Sequence, residues 1–123
     1  MGRLAKERQG RTSAKPTADD VLAAFDRLGA SIPNKQQSLA ATYGANYCAG
    51  GYTIERALAL DVCEYSDKTA AGAGRNLSKE ILVRVSNRDV WVNKTATLAI
   101  VQLKPDPATT ALKKKLVDAF LAM

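Results

Sequence analysis

Tyr47-Cys48-Ala49-Gly50-Gly51-Tyr52-Thr53, followed by Arg56-Ala57-Leu58-Ala59-Leu60-Asp61-Val62-Cys63-Glu64-Tyr65, holds both cysteines of this 123-residue chain and decides its fold. Leu58, Leu60 and Val62 alternate with Ala59, Asp61, Cys63 and Tyr65, the period-two pattern of a half-buried strand. With Ile54-Glu55-Arg56-Ala57 as a four-residue connection, Thr53 opposes Leu58, and counting outward sets Cys48 opposite Cys63. Opposed residues of an antiparallel pair lie about 4.5 to 5.5 Å apart at Cα, inside the span a disulfide tolerates. A Cys48–Cys63 bridge is therefore predicted, worth about 3 kcal/mol in the chain-entropy account. Two buried free thiols, acting as small apolar side chains, are the competing reading.

The rest of the chain supplies helices. Thr17 with Asp20 three residues on is an acidic capping box, and Val21, Leu22, Phe25 and Leu28 recur at helical spacing, so a helix is expected over 18–28 with Gly29 closing it. Ser31-Ile32-Pro33-Asn34 reads as a turn. Residues 37–48 are ambiguous in their alanines, with Tyr43 and Tyr47 expected on the face of Leu58 and Leu60. Ser66 or Asp67 caps a second helix predicted to run to about Val85, with Ala70, Ala73, Gly74, Leu77, Ile81 and Leu82 inward. Ile81 to Val85 would equally begin a strand. Asp89 to Asn93 and Thr97 to Leu103 form a second hairpin through Asn93-Lys94-Thr95-Ala96. Asp106 then caps a final helix with Pro107 in its first turn.

The expected fold is α+β, with two layers: a four-stranded antiparallel sheet made of two β-hairpins, helices on one face, in the order α-ββ-α-ββ-α. One domain is expected over 17–123, after a flexible basic tail over 1–16. That tail carries Arg3, Lys6, Arg8, Arg11 and Lys15 against Glu7, a net +4, and 13 basic against 11 acidic side chains leave only +2 for the remainder. It reads as a tether, or more sharply as an anion- or membrane-surface-binding arm.

No histidine is present, which removes Ser-His and Cys-His catalysis, most zinc sites and the usual neutral-pH proton shuttle. Two cysteines lack CxxC spacing and are too few for a structural zinc site, so no metal and no cofactor are expected. Asp61 and Glu64 project to opposite faces of one strand and cannot act as a paired acid and base. Gly72-Ala73-Gly74-Arg75 has neither the third glycine of a dinucleotide fingerprint nor a Gly-Lys-Ser/Thr ending, and reads as close helix packing. A non-enzymatic module is therefore expected.

Cys48, Tyr52, Asp61, Cys63 and Tyr65 are expected on an open second face of the sheet, making Tyr52 and Tyr65 candidate partner-binding residues. Trp91 either fills the second side of the sheet or anchors a partner. Lys113, Lys114 and Lys115 are a solvated helix face or an anion-binding run. Against nucleic acid stand the near-neutral folded part and the lack of aromatic-basic interleaving, although an arm-plus-lysine, cytoplasmic nucleic-acid-associated protein is the alternative.

Tyr47-Cys48-Ala49-Gly50-Gly51-Tyr52-Thr53, then Leu60-Asp61-Val62-Cys63-Glu64-Tyr65-Ser66-Asp67 and an Ala/Gly-rich helix, resemble the soluble part of small bacterial lipoproteins of unknown function across roughly residues 20–121. The resemblance implies export, a periplasmic or cell-surface location, and a tether through a lipidated cysteine upstream of this chain as the one membrane contact. Expected partners are a protein or cell-envelope component, with the oligomeric state left open.

Overall fold

Alternating aliphatics on a central strand set the frame. The computed structural model describes residues 2–123. Among these the helices are α1 (Arg3–Gln9), α2 (Ala18–Arg27), α3 (Lys68–Ile81) and α4 (Pro107–Leu121), and the strands are β1 (Gln36–Ser38), β2 (Tyr47–Tyr52), β3 (Leu58–Glu64), β4 (Arg88–Asn93) and β5 (Ala96–Gln102). All neighbouring strands pair antiparallel, in the order β1-β2-β3-β5-β4. The fold is α+β, with five strands where the hairpin argument gave four. The fifth, β1, is a polar Gln-Gln-Ser edge strand held by backbone pairing to β2.

The first hairpin has the expected register. Thr53 N–H donates to the Leu58 carbonyl at 2.9 Å, and Cys48 lies opposite Cys63. The turn between them is a short 3-10 segment, Ile54–Arg56, in which Glu55 and Arg56 both take positive φ. The second hairpin does not extend the first in chain order: β5, not β4, pairs with β3, so β3 and β4 run the same way with α3 crossing between them.

That crossover overturns the one-sided helix layer. Leu58, Leu60, Val62, Leu98 and Ile100 point to the face covered by α2 and α4, where Val21, Leu22, Phe25, Leu116 and Phe120 complete the main core. Cys48, Cys63 and Tyr65 point to the other face, in a second cluster with Ala40 and with Ala71 of α3. The sheet is sandwiched. Tyr47 joins the main core as expected, while Tyr43 packs into the second cluster. The helix α3 buries Ala71, Gly74 and Ser78, so Gly74 faces inward as expected, while Leu77 and Ile81, also expected inward, are exposed. It ends at Ile81, four residues earlier than expected. Gly74 explains the close approach, because a Cβ there would run into the hydroxyl and ring of Tyr65.

The caps follow the sequence closely. Thr17 and Asp20 form the reciprocal box at the start of α2. At its end Gly29 takes φ 90° and Ala30 N–H reaches the Phe25 carbonyl at 2.9 Å, a Schellman closure. Asp106 accepts from Thr109 N–H at 2.7 Å with Pro107 behind it.

The described part of the basic segment expected as a flexible tail, residues 2–16, makes specific contacts with the rest of the chain. Glu7 of α1 accepts from Ala40 and Ala41 N–H at 2.8 and 2.9 Å. Arg11 reaches the Glu64 carboxylate at 2.6 Å and lies over the Tyr47 ring, 3.9 Å from its centroid. The anchors are the carboxylates of Glu7 and Glu64; α1 itself buries no residue.

Candidate functional site

Two places bring chemistry-bearing side chains together, one on each side of the sheet. On the α3 side, Cys48 and Cys63 are bonded to one another, with Cα atoms 4.1 Å apart, and both are buried. Two positions before Cys63, Asp61 projects to the same face. Its carboxylate accepts from the Ser38 hydroxyl at 3.0 and 3.2 Å, so the polar edge strand β1 supplies its hydrogen bond. Burial pushes the Asp61 carboxyl up to about 6, opposed by the Ser38 hydrogen bond and by the charge of Arg88. The Arg88 guanidinium itself donates to the carbonyl and hydroxyl oxygens of Ser78, and it shares with Asp61, Tyr43 and Leu82 the wall of a cavity of about 120 Å³.

The raised Asp61 value makes stability pH-dependent. The folded chain holds this proton more tightly than the unfolded chain, whose carboxyl sits near 3.8, so the contribution is complete below about pH 4 and lost as pH rises through about 6. A rise from 3.8 to about 6 corresponds to about 3 kcal/mol, which partial exposure reduces. Asp61→Asn keeps an acceptor for Ser38 without the charge. It is expected to stabilise the bridged chain by about 2 kcal/mol at pH 7, with the difference vanishing near pH 4. Urea unfolding of both proteins from pH 4 to 8 checks this, and a gap that does not change with pH would refute it.

On the opposite side, Trp91 of β4 lies beside α4. Lys113 holds its ammonium 5.7 Å from the indole centroid, and Trp91, Gln102, Thr110, Lys113, Lys114 and Val117 line a groove of about 250 Å³. Thr110, Lys113 and Val117 come three and four residues apart along α4, so one helix stripe faces the indole. Gln102 donates to the Thr110 hydroxyl at 2.9 Å and closes the floor between strand and helix. Lys114 pairs with Asp118 at 2.7 Å on the rim. Lys115 lies roughly 200° around the helix from Lys113, exposed and outside the groove.

No family model matches the chain, and comparison with curated proteins and with solved structures gives no match. Its chemistry is therefore read from its own residues.

The residues expected to form one open face do not. Tyr65 is 1% exposed beneath α3, its hydroxyl donating to the Tyr43 carbonyl at 3.1 Å, which removes it as a partner-binding residue. Burial also pushes that hydroxyl above the ordinary phenol range. Tyr52 is half-exposed at the hairpin tip, with the Arg56 guanidinium 4.3 Å above its ring and Ile54 exposed beside it. It lies three strands away from Trp91 and on the other face. What the structure does unite is Trp91 with Lys113 and Lys114, read separately from the sequence as a partner anchor and a charge run. The Arg11, Glu64 and Tyr47 cluster and the Asp61, Ser38 contact were not foreseen; only Glu64, whose strand position faces the α2 side, left a signal.

Among the described residues no helix is long and apolar enough to cross a membrane.

Proposed function

We propose that this chain is an exported, non-enzymatic binding module that takes an acidic segment of a protein partner, carrying an apolar anchor, into the Trp91 groove. The observation that carries the reading is the convergence of the Trp91 indole with the Lys113 ammonium over one groove, with Lys114, paired to Asp118, on its rim. An apolar side chain would cover the indole and Val117, while a carboxylate beside it would meet Lys113 and a second would compete with Asp118 for Lys114. Aromatic anchors ringed by charge are the usual source of both affinity and on-rate at such surfaces. The Cys48–Cys63 bridge supports export, since such bonds persist in oxidising compartments such as the periplasm. An envelope component presenting the same anionic and apolar chemistry is the other occupant to test.

The nucleic-acid reading is weaker. Of the five cations in the first sixteen residues, Arg11 is committed to Glu64 and Asp19 and Lys15 to Asp20. A binding role also fits the two carboxylates of β3, which face opposite sides of the sheet and do not make a catalytic pair.

Trp91 is the only tryptophan of the chain, so its emission reports on the groove directly. Titration with short peptides carrying leucine or phenylalanine between glutamates is expected to shift that emission saturably. Lys113→Glu replaces attraction with repulsion and is expected to weaken binding about tenfold, on the order of 1.4 kcal/mol. A response to phosphatidylglycerol vesicles but to no peptide would move the assignment to a lipid surface. Equal responses to acidic and neutral peptides would sink it.

A further inference from the structure

We infer that the chain, once its disulfide is reduced, binds one zinc-class ion through the Cys48 and Cys63 sulfurs and the Asp61 carboxylate. This goes beyond the binding-module reading and does not rest on it. The cysteines are directly opposed on the paired strands β2 and β3, and Asp61 stands two residues from Cys63 on the same face. One ligand atom from each of the three lies within 4.8 Å of the others. Tetrahedral zinc, with bonds of about 2.3 Å to sulfur and 2.0 to 2.2 Å to oxygen, holds its ligand atoms roughly 3.5 Å apart, so small side-chain rotations suffice.

The surroundings favour that use. Both strands sit inside the sheet, β2 between β1 and β3 and β3 between β2 and β5, so the backbone under the three ligands is held on both sides. Cys48 is fully buried and Cys63 is 4% exposed, which strengthens the attraction between thiolates and a cation and leaves isolated thiolates poorly solvated. The Ser38 hydroxyl bonded to Asp61 fixes the carboxylate as an outer-shell group does in known metal sites. Two soft thiolates with one carboxylate select zinc or cadmium, whereas magnesium and calcium prefer oxygen alone. Three protein ligands leave the fourth position to water.

The chemistry balances with a thiol or phosphine reductant supplying two electrons. The S–S bond breaks and two thiols form, their protons coming from two thiol molecules that become a disulfide, or from water whose oxygen goes to the phosphine oxide; binding of the divalent ion then releases those two protons. Bridge and metal exclude one another, since each uses both sulfurs. Metal in the site would therefore hold the cysteines unbridged until it is removed.

The test uses the full chain, reduced with a phosphine and desalted without oxygen, then titrated with cobalt and back-titrated with zinc while circular dichroism follows the fold. The expected result is one cobalt per chain with thiolate charge-transfer and tetrahedral ligand-field bands, displaced by one zinc. The bridged chain should show no such spectrum, Cys63→Ser should lose it, and Asp61→Asn should weaken zinc about tenfold or more. Reduced wild-type protein without the cobalt spectrum overturns the inference, as does Asp61→Asn binding as tightly as wild type. A reduced chain that unfolds and is not refolded by zinc also overturns it, because the three ligands meet only in the paired strands.

Discussion

Arg11→Ala is expected to lower folding stability by about 3 to 5 kcal/mol, a large part of what a domain of this size has. The reason lies with its partner. Glu64 is 2% exposed on the α2 side of β3, and its carboxylate has three donors: Arg11 Nε at 3.2 Å, Arg11 Nη2 at 2.6 Å and the Ala18 backbone N–H at 2.6 Å. Hydrogen bonding to Glu64 also raises the Arg11 pKa above its ordinary value, so the guanidinium is charged at every accessible pH. Alanine at this position leaves a buried carboxylate with one amide for compensation, and removes the cation over the Tyr47 ring as well.

The partner residue provides the discriminating variant. Glu64→Gln keeps an acceptor for Ala18 N–H without the charge, so it is expected to cost less than Arg11→Ala, and adding it to Arg11→Ala should recover much of the loss. Removing residues 1–16 is expected to act as Arg11→Ala does, since the anchor goes with the segment. Urea unfolding read by Trp91 emission measures all four proteins. A loss below about 1 kcal/mol for Arg11→Ala would mean that the segment is not anchored through Glu64, as is usual for a solvent-exposed ion pair.

How far the sequence could be read depended on whether the signal was local. The β2 and β3 register was legible because Leu58, Leu60 and Val62 mark a face and a single turn fixes the count, and the helix caps at Thr17 and Asp106 were legible because capping is decided within four residues. The strand β1 was not, since Gln36, Gln37 and Ser38 show no apolar alternation and their pairing with β2 is through backbone. The sequence pattern puts α3 on the wrong side of the sheet for a related reason. Its buried stripe of Ala71, Gly74 and Ser78 is too small to register as hydrophobic, while the exposed Leu77 and Ile81 mimic an inward face. Once α3 is on that side, the cysteine face closes. Within the candidate groove, Trp91 and the lysines were each visible, but their meeting depends on β4 lying at the sheet edge beside α4, a choice of strand order that no local pattern encodes. The docking of Arg11 is the extreme case, with a partner 53 residues away.

Gly50→Ala is expected to be the most damaging single methyl in the chain, at about 4 kcal/mol or more. Gly50 pairs with Gln36 on one side and Asp61 on the other, so it sits at the centre of the β1-β2-β3 ribbon. A Cβ there would overlap the Leu60 carbonyl and come within 2.8 Å of the Asp61 Cα. Both are backbone atoms of a strand held on its far side by β5, so no side-chain rotation relieves the clash and the two strands must separate. Cys48 lies two residues away on the same strand, so separation also pulls the sulfurs out of register, and the variant should refold with titratable thiols where wild type has a bridge. Gly72→Ala is the control: a Cβ at this helical position meets nothing within 4 Å, and the change should stabilise by up to about 1 kcal/mol through helix propensity. If the two alanine variants unfold at similar urea concentrations and both keep the bridge, the close approach of β2 to β3 at Gly50 is not what holds this sheet in register.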